Sequence, residues 1–469
     1  MRTHHLPTRM LLAVAAAATL AVVLVPLAAT APSYSGEPRH PFVTAVAYNQ
    51  TTSVNDPVAY NRVKAAGALA ARVGLYWPTI ATRRPLNPAN PADGAYSWTA
   101  YDNQIKLIAA RGMTPLVMIY GTPIWARDSY GGPGYAPVPA ALADFMRAAV
   151  ARYSGTFQSL PRVKYWQIWA EPNINVRLSP QFKNGRSVAP AMYRTMLNAI
   201  AGPVHSVPGN LIVGGGLAPF AHTGSALTMA PLAFLREMLC MSTGSTPHAT
   251  CSAKTNFDIW GIHPYTNGSP WHHAENVDDV SIPEIPQMQR LIQAAVAAGH
   301  VVSAQPVRYW VTEFSWDSKP PVTFGVDQQL EARWVSEAFF RMWMFKIEVV
   351  TWLSLRDVTG APAGLYFQGA TFTNDVAKPA LNAFRFPFVA YPTKAGVFVW
   401  GRTPSGKPAI VTIERKSGTA WSTTATLKTD QYGVFAAVLP TAPTGVLRAR
   451  NPSTTSPEFT VAPPTDVKL

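Results

Sequence analysis

Glu171 ends the run "WQIWAE", and Glu313 follows the run "YWVT" before "FSW". Each carboxylate comes directly after large apolar and aromatic residues, the composition of a buried strand. Burying an ionised carboxylate without a partner is costly, so an acid in this position belongs at a strand end, where the chain leaves the core. Pro172 stops the first of these strands immediately behind Glu171. Two carboxylates brought face to face can divide acid–base labour: one protonates a leaving oxygen, and the other attacks carbon or activates water. Residues this far apart in the chain need a scaffold to bring them together.

The rest of the chain supplies one. Short apolar segments recur as "FVTAVAYN" from Phe42, "LAARVGLYW" from Leu69, "TPLVMIYG" from Thr114 and "VKYWQIWAE" from Val163. They continue as "LIVGGG" from Leu211, "FDIWGIHPY" from Phe257, "VRYWVTEFSW" from Val307 and "EVVTWLSLRD" from Glu348. Each gap has room for a helix and a loop. In one gap, "DNQIKLIAARG" starts with a capping-type Asp102 and ends with Gly112. In another, Leu330, Trp334, Ala338 and Met342 recur at four-residue steps, the pattern of a helix facing a core.

Eight alternations predict an α/β fold, a (β/α)8 TIM barrel over residues 41–387. This exceeds the ~250 residues of a minimal barrel, so long strand-to-helix loops shape a cleft. In such a barrel the C-terminal strand ends form one rim, and Glu171 on the fourth strand and Glu313 on the seventh share it. From Ala395 onward, short alternating strands separated by Gly, Ser, Thr and Pro predict a small β-sandwich over residues 392–463, a structural or binding appendage. The final "TSPEFTVAPPTDVKL" reads as extended and partly mobile. "GGG" at Gly214–Gly216 lacks a phosphate-binding continuation and reads as a strand end.

Composition sets the compartment. Arg2 and Arg9 precede an apolar run from Leu11 to Ala29, and the small residues that follow predict an export signal over residues 1–31, cleaved after Ala31. A secreted or envelope-associated protein is the expectation. Cys240 and Cys251 are the only cysteines, and the turn-forming residues between them predict a disulfide, stabilising by about 3 kcal/mol or less and fastening a loop near the cleft. The net charge of +14, or +12 without the signal, favours association with an anionic polymer or cell envelope. No nucleic-acid module accompanies it, and a monomer is expected. His263, His272, His273, Asp278 and Asp279 fit no standard metal-ligand spacing, so no metal is assigned.

With the strands in order, the motifs resemble those of the clan A glycoside hydrolases, families 39 and 5 being nearest in character. "WQIWAEPN" is similar to the clan's strand-four Asn-Glu-Pro motif, and "WVTEFSW" to its strand-seven nucleophile motif. The resemblance implies a retaining mechanism in which Glu171 is the general acid/base and Glu313 the nucleophile, with carboxyls about 5–5.5 Å apart. It implies a carbohydrate polymer or oligosaccharide substrate and no cofactor. Arg72 resembles the clan arginine that hydrogen-bonds the nucleophile, and Tyr265 in "GIHPY" the tyrosine beside it. His263 occupies a cleft-lining position, and Trp352 resembles the aromatic floor of the sugar subsite. Trp77 and Trp316, with Trp125, Trp271 and Tyr366, are further substrate-binding candidates. An arginine neighbour holds Glu313 ionised, while aromatic surroundings are expected to raise the pKa of Glu171.

The sequence departs from the clan at one position. Ala170 stands where the clan has an asparagine that hydrogen-bonds the sugar 2-hydroxyl. A non-catalytic carbohydrate-binding protein on an inactivated barrel is therefore the competing reading. Retention of both glutamates with Arg72 and Tyr265 favours an enzyme.

Overall fold

The computed structural model describes residues 40–47, 55–127, 135–221, 224–442 and 444–469; the expected export signal lies outside them. Eight parallel strands close into a barrel: β1 Val43–Ala47, β2 Ala70–Tyr76, β3 Thr114–Tyr120, β4 Tyr165–Ile168, β5 Leu211–Leu217, β6 Ile259–Ile262, β7 Arg308–Phe314 and β8 Ile347–Leu353. Every strand pairs with its sequence neighbour, and β8 returns to β1 with Val43 opposite Val349. Gly214–Gly216 lie inside β5, in keeping with the strand reading.

Helices α1 Pro57–Ala65, α2 Thr99–Ala109, α3 Pro139–Arg152, α4 Ala189–His205, α5 Pro231–Leu239, α6 Ile285–Ala297, α7 Gln328–Met344 and α8 Pro379–Arg385 follow the strands in turn. Asp327 caps α7 by accepting from the amides of Gln329 and Leu330. Asp102 does not cap its helix, which begins at Thr99. It is buried within α2 and accepts from Arg152 Nε at 2.9 Å and from the Tyr153 hydroxyl at 3.0 Å, an ion pair that ties α2 to α3.

The barrel interior is filled from the bottom. Ala45, Ala70, Leu116, Leu211, Val213, Ile259, Trp310 and Val349 form one buried cluster drawn from seven strands, with Tyr165 of β4 packed against it. Side chains two residues further along a strand return to the same face, one level higher. That level carries polar side chains among small and apolar ones: Arg72, Gln167 and Thr312 follow Ala70, Tyr165 and Trp310, beside Ala47, Met118 and Gly261. The apolar plug thus serves as the floor of a partly polar chamber.

The C-terminal part forms two antiparallel sheets from β9 Phe388–Thr393, β10 Gly396–Arg402, β11 Ile410–Ser417, β12 Ala420–Lys428, β13 Val434–Leu439, β14 Val446–Arg450 and β15 Phe459–Thr460. The sheet orders are β9-β10-β13 and β12-β11-β14-β15. The first strand starts at Phe388, ahead of residue 392. Phe398 and Trp400 pack on Phe340 of α7 with ring centroids 5.5 Å apart, so the sandwich shares a core with the barrel.

The final residues are extended but hydrogen-bonded to the loop after β6. Ser269 donates its amide to Val467 at 2.7 Å, and His272 Nδ1 lies 2.8 Å from Asp466. The disulfide joins Cys240 and Cys251 with Cα atoms 5.3 Å apart. It sits at the C-terminal end of α5, leading into β6, and not near the cleft. A helix running antiparallel to its strand delivers its C-terminus to the opposite end of the barrel.

Candidate active site

Two local distortions aim the carboxylates. Along β7, Trp310 and Thr312 point inward, so strict alternation would turn Glu313 out toward the helices. Between β7 and β8, however, the register advances from Val311 opposite Val350 to Phe314 opposite Trp352, inserting one extra residue on β7. A bulge of this kind re-aims the side chain at the bulge, and here it brings Glu313 over the chamber.

At the end of β4, Trp169 and Glu171 both have left-handed backbones, with φ of +67° and +53°. Each costs about 1–2 kcal/mol relative to ordinary conformations. Hydrogen bonds fix both: the Trp169 amide donates to Ile119 at the end of β3, and the Glu171 amide donates to Gly216 in β5 at 2.7 Å. Gly216 has φ +68°, and a Cβ there would stand 2.8 Å from Gln167 Nε2, so a side chain would displace this wall.

The result is a cavity of about 380 Å³ lined by Arg72, Tyr76, Met118, Tyr120, Gly121, Trp169, Ala170, Glu171, Val176, Arg177 and Glu313. Glu313 is gripped on both oxygens. Arg72 Nη2 donates to Oε2 at 2.7 Å, and the Tyr265 hydroxyl donates to Oε1 at 2.8 Å. Arg72 Nη1 also donates to the Thr312 carbonyl at 2.5 Å, which orients the guanidinium. Burial pushes the Glu313 carboxyl up, but the charges of His263 and Arg72 and the two donors outweigh it and hold the group down at about 2. Burial, reinforced by the Glu313 charge, raises Tyr265 well above the ordinary tyrosine value, so it remains a donor.

Glu171 is held more loosely. His263 Nδ1 lies 3.1 Å from Oε1, and Arg177 Nε lies 3.8 Å from Oε2. Its near neighbours are thus an imidazole and a guanidinium as well as aromatic rings. Glu171, His263 and Glu313 each place one ligand-type atom within 4.8 Å of the others. Both oxygens of Glu313 are already engaged and two guanidiniums stand nearby, a setting that repels a cation. The histidines and aspartates further along have separate partners: His273 meets Glu284, and Asp278 meets Arg236.

Arg72, His263 and Tyr265 therefore meet the two glutamates. The tryptophans do not. Trp77 is fully buried and stacks on Phe145 at 4.7 Å. Trp316 donates to the Gly268 carbonyl at 3.0 Å and packs between Phe314 and Trp334. Trp352 has no exposed surface, donates to the Ala363 carbonyl at 2.9 Å and meets Phe384 of α8. All three belong to the core between barrel and helices, so the expectation that they contact substrate is corrected: the pleat of β8 turns Trp352 outward, and Trp77 and Trp316 lie just past the ends of β2 and β7 and pack into that core. Trp125 likewise donates to the Ala81 carbonyl.

Sequence reasoning missed Tyr76, Tyr120 and Arg177. The two tyrosines end β2 and β3, are register partners and hold their rings 5.0 Å apart on the cavity wall. The strand-end rule that found the glutamates would have found them. Arg177 lies in a loop with no such signal.

No family model matches the chain, and no curated protein matches it. Among solved structures, a family 39 glycoside hydrolase from the gut symbiont Bacteroides cellulosilyticus is similar at 14% identity with a TM-score of 0.52, over 85% of this chain and 79% of that one. A monomeric β-xylosidase from Caulobacter crescentus aligns at 14% identity with a TM-score of 0.49, over 84% and 93%. The chain shares the (β/α)8-barrel fold of the Bacteroides protein.

Proposed function

We propose that this protein is a secreted retaining glycoside hydrolase that cleaves O-glycosidic bonds of a polysaccharide or glycoconjugate by double displacement. One observation carries the reading: Glu171 and Glu313 stand across one cavity with an oxygen of each within 4.8 Å. Retaining glycosidases hold their carboxyls about 5–5.5 Å apart, whereas inverting ones need about 6.5–9.5 Å to seat a water.

The unequal surroundings assign the roles. Glu313, ionised and aimed by Arg72 and Tyr265, attacks the anomeric carbon while Glu171 gives its proton to the departing oxygen. A glycosyl–Glu313 ester forms, and the glycosidic C–O bond breaks. Glu171 then takes a proton from water, whose oxygen attacks the same carbon and releases Glu313. His263 orients Glu171 through Nδ1.

Export through residues 1–31 accords with the Cys240–Cys251 disulfide, a bond that persists in oxidising compartments. Among the described residues no helix is long and apolar enough to cross a membrane. Purified protein screened against neutral and acidic polysaccharides, including envelope arabinan and galactan, should release reducing ends from at least one. Binding without turnover by the intact chain would favour the carbohydrate-binding reading instead.

A further inference from the structure

The geometry points to Arg177 as the residue that selects an anionic sugar, one bearing a carboxylate or sulfate beside Glu171; this rests on the hydrolase reading above. Arg177 lines the same cavity as both glutamates, yet its side chain is 52% exposed and its nearest acid, Glu171, is 3.8 Å away, beyond hydrogen-bond reach. Its main chain, by contrast, is fixed. The Trp169 indole donates to the Arg177 carbonyl at 2.6 Å, and the Arg177 amide donates to Ile174 at 2.9 Å. With its main chain anchored and no hydrogen-bond acceptor for the guanidinium among the described residues, Arg177 can offer its donors to a ligand in the cavity.

Charge balance specifies the ligand. Arg72 is committed to Glu313 and the Thr312 carbonyl, so those charges cancel. Arg177 is the cavity-lining cation whose guanidinium has no acceptor within hydrogen-bond reach among the described residues. A planar guanidinium matches the paired oxygens of a carboxylate or sulfate. Ala170, also on the wall, presents only a methyl group, leaving space for a ring substituent. Tyr76 and Tyr120 supply an aromatic wall alongside. The net charge, +12 without residues 1–31, favours encounter with anionic polymers.

The test uses galacturonate, glucuronate and alginate oligosaccharides, each compared with its carboxyl-reduced form, and sulfated oligosaccharides compared with their desulfated forms. Binding is measured by calorimetry on the Glu313→Gln chain at 0.15 M salt, which screens the general surface charge. At least one anionic probe should bind about tenfold or more tighter than its neutral form. Arg177→Met should abolish that preference, and Arg177→Lys should restore part of it. The arm that shows the preference identifies the anion as carboxylate or sulfate. Equal affinity for anionic and neutral forms, no binding of any anionic probe, or a preference that survives in Arg177→Met would overturn the assignment. Turnover of matched acidic and neutral polymers at equal kcat/KM would remove this inference and leave the hydrolase reading. An Arg177-dependent preference in binding without turnover by the intact chain would do the reverse.

Discussion

The ends of β4 and β7 each carry a carboxylate, and the two are held in opposite ways. Glu313 accepts from Arg72 and Tyr265 on separate oxygens, whereas Glu171 has an imidazole at 3.1 Å and a guanidinium at 3.8 Å. The clamp on Glu313 favours its ionised form, as an attacking carboxylate needs, whereas Glu171 has a single partner within hydrogen-bond reach. The contrast is what a two-step displacement requires: one group that stays charged and one that cycles.

Removing the clamped group should have the largest effect. Glu313→Ala is expected to lower kcat by about 10⁴-fold or more, over 5 kcal/mol of barrier, with azide restoring turnover to a product of inverted configuration. Unchanged turnover would mean that the rim of β7 is not where the substrate reacts.

Glu171→Gln should cost about 10²–10⁴-fold on natural substrates, the usual contribution of a general acid. The first step should be nearly unaffected for aryl glycosides whose leaving group departs without a proton. An equal loss on both substrate types would deny Glu171 the acid's role.

Arg72→Met probes the clamp itself. It leaves the Glu313 carboxylate with the Tyr265 hydroxyl and the nearby His263 but no guanidinium, and breaking such a pair costs about 3–5 kcal/mol of stability. Because the folded Glu313 carboxyl lies at about 2, below its ordinary 4.5, the stabilisation is fully present above about pH 4.5 and disappears as pH falls toward 2. Urea unfolding at pH 7 and pH 3 should therefore show a larger difference between wild type and variant at pH 7. Tyr265→Phe removes one charge-assisted bond and should cost less, about tenfold to a hundredfold in kcat/KM.

Legibility in the sequence follows the same contrast. Eight apolar segments at helix-sized intervals were enough for the barrel, and the strand-end rule was enough for Glu171 and Glu313. The bulge that aims Glu313 was not legible, because it depends on how β7 pairs with β8 and not on either strand alone. Trp352 shows the converse. Its residue type and strand position suited a sugar platform, but the pleat points it toward α8, and composition does not report which way a pleat faces. Arg177 sits in a loop whose course is fixed by the Trp169 indole, a contact between side chain and main chain that leaves no pattern along the chain.

Away from both carboxylates, the disulfide calibrates the comparison at its lower end. Replacing Cys240 and Cys251 by serine should lower stability by about 3 kcal/mol or less. Since the bond lies at the helix-to-strand end of the barrel, kcat/KM at temperatures where the variant stays folded should match the wild type. A large catalytic loss would place that loop in communication with the cleft.

The central claim, that the clamped and the loose carboxylate are nucleophile and acid/base of one displacement, is tested most directly by the anomeric configuration of the first product. Proton NMR of a hydrolysed substrate, recorded before mutarotation, should show the new hemiacetal with the same configuration as the bond cleaved. A product of inverted configuration from the wild-type protein would contradict the account, because it requires a water seated between two carboxyls that here stand with an oxygen of each within 4.8 Å.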